Sequence, residues 1–122
     1  MSYIYLASPY AHEDAAVRQA RYRAVRIHVT YLLVEQKRAV FSPIVHCHDL
    51  PTGTADWRWY NERMLEAALQ LDILMLDGWE DSKGIEAEIA MAELRFIPVY
   101  KVEPRNAIGT LAPPALNAPS LR

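Results

Sequence analysis

The stretch Ser82-Lys83-Gly84-Ile85-Glu86-Ala87-Glu88-Ile89-Ala90-Met91-Ala92 carries the densest chemical signal in the chain. Read as a helix it turns about 100° per residue, so Gly84, Glu88 and Ala92 share one face. Ile85, Ile89, Ala92 and Phe96 form the adjoining core stripe. Glu88 therefore borders the core, with small residues a turn above and below it, and Gly84 clears space beside its carboxylate. An acid so placed suits a nucleophile or a general acid/base. An ordinary surface glutamate near a helix start has the same spacing. Glu86 and Glu93 point elsewhere, toward solvent.

Other candidates surround this one. Ser82, Lys83 and the free N–H groups of Gly84 and its neighbours could hold an anion such as a phosphate, or Ser82 could simply cap the helix. Ser8-Pro9-Tyr10 follows an opening β-rich run, where doubly wound folds place their first ligand loop. It carries neither G-x-G-x-x-G nor G-x-x-x-x-G-K-[ST], which argues against a conventional dinucleotide or ATP cradle. Tyr10 could donate to a ligand or pack. His46-Cys47-His48-Asp49 has an i, i+2 spacing that is not a strong zinc pattern, so no metal and no cofactor is expected. His46 reads better as a ligand contact. Gly78 and Trp79 lie in the loop before the Glu88 helix and count among the binding candidates. Trp57, Trp59 and Trp79 could stack on a base, with core packing the default.

These residues need elements to hold them. Tyr3 to Ala7 reads as a strand. His12 to about Gln36 reads as a long helix with Val17, Ala20, Ala24, Ile27, Tyr31 and Val34 on its apolar face. Arg18, Arg21, Arg23 and Arg26 then form a solvated face, and Glu13 and Asp14 sit in the first turn. Ala39 to Ile44 is a second strand, and Val45 to Thr54 a loop. Asp56 caps a helix to about Gln70, with Trp57, Tyr60, Met64, Leu65 and Ala68 as its stripe. Asp72 to Leu76 is a buried central strand. A helix from Lys83 to Arg95 and a strand from Phe96 to Val102 follow. Alternating strands and helices imply a three-layer α/β/α sandwich on a parallel, flavodoxin-like (Rossmann-like) sheet of four to five strands. Ligands of such sheets bind at the carboxyl ends of the strands. The expected division is one α/β domain over residues 1–103 and a proline-rich tail over 104–122, with a short edge strand expected near Ile108 to Leu111.

Composition sets outer bounds. The chain has 122 residues, 13 basic and 15 acidic side chains and a net charge of −2. That balance provides no basic footprint for a nucleic acid polymer. The single cysteine, Cys47, allows no internal disulfide. No apolar run has the length of a membrane span, and the first residues lack the pattern of a signal peptide. A cytoplasmic protein acting on a small molecule is expected.

Three segments together resemble a known group. Tyr5-Leu6-Ala7-Ser8-Pro9-Tyr10, Ser42-Pro43-Ile44-Val45-His46 and Leu76-Asp77-Gly78-Trp79-Glu80-Asp81-Ser82-Lys83-Gly84 with the Glu88 helix are similar to DUF1937-type proteins. That family in turn resembles the nucleoside 2-deoxyribosyltransferases and the 2′-deoxynucleoside 5′-phosphate N-hydrolases. The resemblance implies that Glu88 attacks the anomeric carbon of a nucleoside or nucleotide, that Ser82 contacts a 5′-phosphate and that Ser8 to Tyr10 lie against the sugar or base. It implies His46 on the phosphate side, and a homodimer or higher homo-oligomer. One position departs: an aspartate usual on the second helix corresponds here to Met64, which transfers no proton. Asn61, one turn earlier, can hydrogen-bond but is no acid. Asp77, Asp81 or Tyr10 would then have to assist departure of the base. The alternative is a nucleotide-binding or sensing module without turnover, and a metal-dependent hydrolase using His46 and His48 comes third.

Overall fold

A computed structural model describes residues 2–48, 50 and 56–105. Four parallel strands form the sheet: β1 (Ile4–Ala7), β2 (Val40–Phe41), β3 (Gln70–Leu74) and β4 (Val99–Val102), in the order β2-β1-β3-β4. β1 and β3 are in register from Ile4 opposite Gln70 to Ala7 opposite Ile73. Both strands are buried on both faces, which explains their near-continuous apolar character. The helices are α1 (Ala15–Thr30), α2 (Pro43–Cys47), α3 (Arg58–Glu66) and α4 (Lys83–Leu94).

Strand alternation divides the core in two. Tyr5, Ala7, Leu71 and Ile73 face α3 and α4 through Leu65, Ile85 and Ala92. Leu6, Leu74 and Val102 face α1 and α2 through Val25, Val29 and Ile44. This is the expected three-layer α/β/α arrangement, and its strand order is that of the first four strands of a flavodoxin-like sheet.

Several boundaries differ from the expectation. The first helix begins at Ala15, because Asp14 is its cap and accepts from the Ala16 N–H at 2.8 Å. It ends in a π-helical turn, Tyr31–Glu35, closed by Gln36 N donating to Tyr31 O. The buried face of this helix carries Val25, His28, Val29 and Leu32, not the expected stripe. Of that stripe, Val17, Ala20 and Ala24 line an open groove with Leu76 instead, and Val34 is exposed. A 3.6-residue period locates a face only when one face is apolar, and here two are. The region from Val45 read as loop begins in helix: Ser42 caps α2 by accepting from Val45 N, and Pro43 suits the first turn. Trp57, not Asp56, occupies the α3 cap position, although Asp56 Oδ1 accepts from Arg58 N at 2.9 Å. α3 stops at Glu66, so β3 starts at Gln70 and ends at Leu74. Phe96 lies outside the core, 93% exposed in a left-handed conformation after α4. The expected edge strand near Ile108 lies outside the described residues.

The arginines are not merely solvated. Arg21 donates to Ala11 O and to Asp77 O, both at 3.0 Å, tying the loop after β1 to the loop after β3. Gly78 makes this possible. Its φ is +89°, and a Cβ there would stand 2.7 Å from Arg21 Nη2. Gly78→Ala should therefore cost about 1–2 kcal/mol from backbone handedness alone, with a further loss from displacing Arg21. Chemical denaturation of this variant beside Arg21→Ala checks it: most of the handedness cost should persist when the guanidinium is already gone.

Candidate active site

Glu88 lies on α4 at the junction with the sheet. Ser82 starts that helix by accepting from Ile85 N at 3.2 Å, which fixes the turn on which Glu88 sits. Across the interface stands Tyr5, at the centre of β1 and fully buried. Its phenol donates to Glu88 Oε2 at 2.6 Å. That length is typical of a charge-assisted O–H···O⁻ bond. A buried tyrosine in an otherwise aliphatic strand needs a partner for its hydroxyl, and Glu88 is that partner.

The pair sits in a cleft of about 430 Å³ between α3 and α4. α3 contributes Arg58, Asn61, Glu62 and Leu65, one face at steps of three and four residues. α4 contributes Lys83, Gly84, Ala87 and Met91. Gly84 clears the space expected of it: a Cβ there would meet only Ser82 Oγ, at 3.8 Å. The cleft is apolar at Leu65, Ala87 and Met91. Its acidic members are Glu62 and Glu88, and its cationic members are Arg58 and Lys83 at the first turns of their helices.

Burial dominates the acidity of both partners. It pushes the Glu88 carboxyl up to about 7, against a smaller opposing effect of the Tyr5 hydrogen bond. The Tyr5 phenol is raised as well, first by burial and then by the adjacent carboxylate. Glu88 thus exchanges its proton near neutrality, and a carboxyl so shifted in a cleft is a candidate functional group.

Among the expected site residues, the structure brings Glu88, Lys83 and Gly84 together in this cleft. Ser82 borders it as the helix cap. The others line different surfaces. Tyr10 shares a 2.8 Å hydrogen bond with His48, and His48 stacks on Tyr22 at 3.7 Å between ring centroids; Tyr10 and Tyr22 pack against the opposite half of the core. Ser8 and Pro9 precede that cluster, Pro9 buried and Ser8 with its hydroxyl enclosed. Asp77 lies beside α1, and Asp81 is exposed in the 3-10 turn Trp79–Asp81. Gly78 serves the turn described above. Trp79 packs on the Tyr5 side of the core and carries Lys101 Nζ 5.5 Å from its ring centroid. His46 stacks on Tyr60 at 5.3 Å and meets Trp57 edge-on, joining α2 to α3. Asp49 lies outside the described residues. No group of three potential metal ligands occurs among the described residues.

Sequence reasoning missed Tyr5, Arg58 and Glu62 as site residues. The signal for Tyr5 was available: a lone hydroxyl within Ile4-Tyr5-Leu6-Ala7. For Arg58 and Glu62 it was weaker: the expected apolar stripe of α3 does pack inward through Met64, Leu65 and Ala68, and charged residues beside such a stripe read as a solvated face.

A family described as a domain of unknown function, DUF1937, matches residues 2–103. The chain belongs to that family. The match spans every described strand and helix and includes both Tyr5 and Glu88. No curated protein matches the chain. None of its described helices is long and apolar enough to cross a membrane.

The raised carboxyl of Glu88 links the site to stability. Between about pH 4.5 and 7 the folded chain keeps a proton that the unfolded chain gives up, so stability falls as pH rises through that window. The difference amounts to about 3 kcal/mol at 1.36 kcal/mol per unit. Glu88→Gln removes this loss, so it should be more stable than the native chain above pH 7 and nearly equal to it below pH 4.5. Denaturant titrations at both pH values check this. Tyr5→Phe deletes the bond that favours the ionised form and should move the Glu88 midpoint further up, as read by carboxyl-carbon NMR.

Proposed function

We propose that this DUF1937 protein cleaves or exchanges the N-glycosidic bond of a nucleoside or nucleoside 5′-monophosphate, with Glu88 as nucleophile. The observation that carries the reading is the half-buried Tyr5–Glu88 hydrogen bond at the wall of an open cleft. A carboxylate oriented by a phenol, beside space for a sugar, suits attack on an anomeric carbon. The resemblance of the family to the nucleoside 2-deoxyribosyltransferases and the 2′-deoxynucleoside 5′-phosphate N-hydrolases supports the same chemistry. In this reading a Glu88 oxygen bonds to C1′ while the C1′–N bond breaks, and its electron pair leaves with the base. Water, or a second base, then attacks C1′ and releases Glu88. Hydrolysis and transfer share the glycosyl-ester intermediate.

Departure of the base calls for a proton. Tyr10, Asp77 and Asp81 do not line the cleft, whereas Glu62 does. We assign the proton to Glu62, which takes it back from the attacking water. Met64 has become packing: its carbonyl accepts from the Tyr3 phenol at 2.5 Å, and its side chain lies against the core. Lys83, at the start of α4, gives the cleft the positive charge a 5′-phosphate needs, while the Arg58 guanidinium is held by Asp56 at 2.8 Å. The resemblance also carries a homo-oligomer, and the open apolar groove of Ala16, Val17, Ala20 and Ala24 with Leu76 is a surface that would suit it.

Free-base release from a panel of ribo- and deoxyribonucleosides and their 5′-monophosphates tests the assignment. The native protein should release base, and Glu88→Gln should lower kcat by at least about 10³-fold. Nucleotide binding without release from any member would replace this reading with a sensing module.

A further inference from the structure

The first turn of α3 holds an unexplained atom. Asn61 Oδ1 is shut off from solvent and has no hydrogen-bond partner, yet its residue lines the Glu88 cleft. A buried acceptor left without a donor is costly, and in native structures such an atom calls for a reason. Packing does not provide one, because a leucine of similar size would fill the position without the penalty. The position relative to charge is informative. Arg58 sits one turn before Asn61, at the start of the helix, and Lys83 stands at the start of α4. Arg58 is paired with Asp56 at 2.8 Å, so Lys83 marks where an anionic group would lie. A carbonyl oxygen repels such a group and attracts a donor instead.

We infer that Asn61 is a specificity-determining residue whose amide oxygen accepts a hydrogen bond from a hydroxyl of the substrate's sugar. The inference rests on the proposed N-glycosidic chemistry, in which the sugar is the part of the substrate that meets Glu88, and Asn61 lines the same cleft. The terminal torsion of asparagine is broad, so the amide turns toward a bound hydroxyl with no change in the backbone. A site that reserves a buried acceptor for an O–H rejects an analogue lacking it, because the acceptor then stays unpaired in the complex.

The test pairs enzyme variants with substrate deletions. Base release is measured for the native chain, Asn61→Leu and Asn61→Asp on the best nucleoside of the panel, on its 3′-deoxy analogue and on its 2′-deoxy or ribo counterpart. The native protein should lose about 10- to 100-fold in kcat/KM when the recognised hydroxyl is removed. Asn61→Leu should lose a similar factor on the parent substrate and show no further loss on the analogue. Asn61→Asp, which keeps an acceptor, should retain the discrimination. The melting temperature of Asn61→Leu should equal or exceed that of the native chain, whereas a structural role would lower it. Equal discrimination by the native chain and Asn61→Leu overturns the inference while leaving the Glu88 chemistry intact. Discrimination that follows an exocyclic amine on the base, and not a sugar hydroxyl, also overturns it. Absence of base release by the native protein overturns the underlying reading and this inference with it.

Discussion

The hydrogen bond from Tyr5 to Glu88 joins the centre of the sheet to the helix that covers it. Its two ends lie 83 residues apart in sequence, so it exists only once β1, β3 and α4 are all in place. The register of β1 on β3 sets Tyr5 on the α4 side. A shift of one residue would turn the phenol toward α1 and leave a buried carboxyl without its donor. Strand register, the Ser82 cap and the space at Gly84 thus converge on one oxygen–oxygen contact, and the cleft is arranged around it.

That contact carries tension. Burial favours the neutral acid, while the phenol favours the carboxylate, and burial has the larger effect. Placed in water, Glu88 would be ionised at neutral pH and heavily hydrated, hence a poor nucleophile. Placed in an apolar core with no donor, it would remain protonated and inert. The phenol lets it ionise near neutrality at the wall of the cleft. Stability is given up for this, as expected where a functional group sits against the core.

Much of this was legible in the residues. The strand–helix alternation implied the α/β/α layers, and the Gly84–Glu88–Ala92 spacing singled out a carboxyl that lines the cleft between α3 and α4. What was not legible depended on pairings between distant segments. α1 has two apolar faces, and only the sheet decides that Val25 and Leu32 go inward while Ala20 and Ala24 stay out. The run Ala39 to Ile44 reads as a strand, yet with Ser42 before it Pro43 begins a helix. Arg21 looked solvated because its acceptors are backbone carbonyls that no side-chain pattern records. Tyr10 stood near Tyr5 in sequence, but the two hydroxyls end on opposite sides of the sheet.

That last separation shapes the chemistry. Loops after β1 in doubly wound folds commonly reach the ligand, and Ser8-Pro9-Tyr10 invites that reading. Here Tyr10 is spent on His48, which is itself stacked on Tyr22. This cluster braces the end of α2 against α1 and leaves the floor of the cleft to the strand itself, through Tyr5. The walls are helical, with α3 presenting Arg58, Asn61 and Glu62 opposite Lys83 and Glu88 on α4. A site built on a strand and two helices holds its groups more rigidly than one built on loops. In such a frame the carboxyl, the cations and the unpaired amide oxygen are already in place before a ligand arrives. Selectivity then follows from which groups of a ligand can meet them, and an acceptor enclosed on α3 favours a ligand that brings its own donor to that depth.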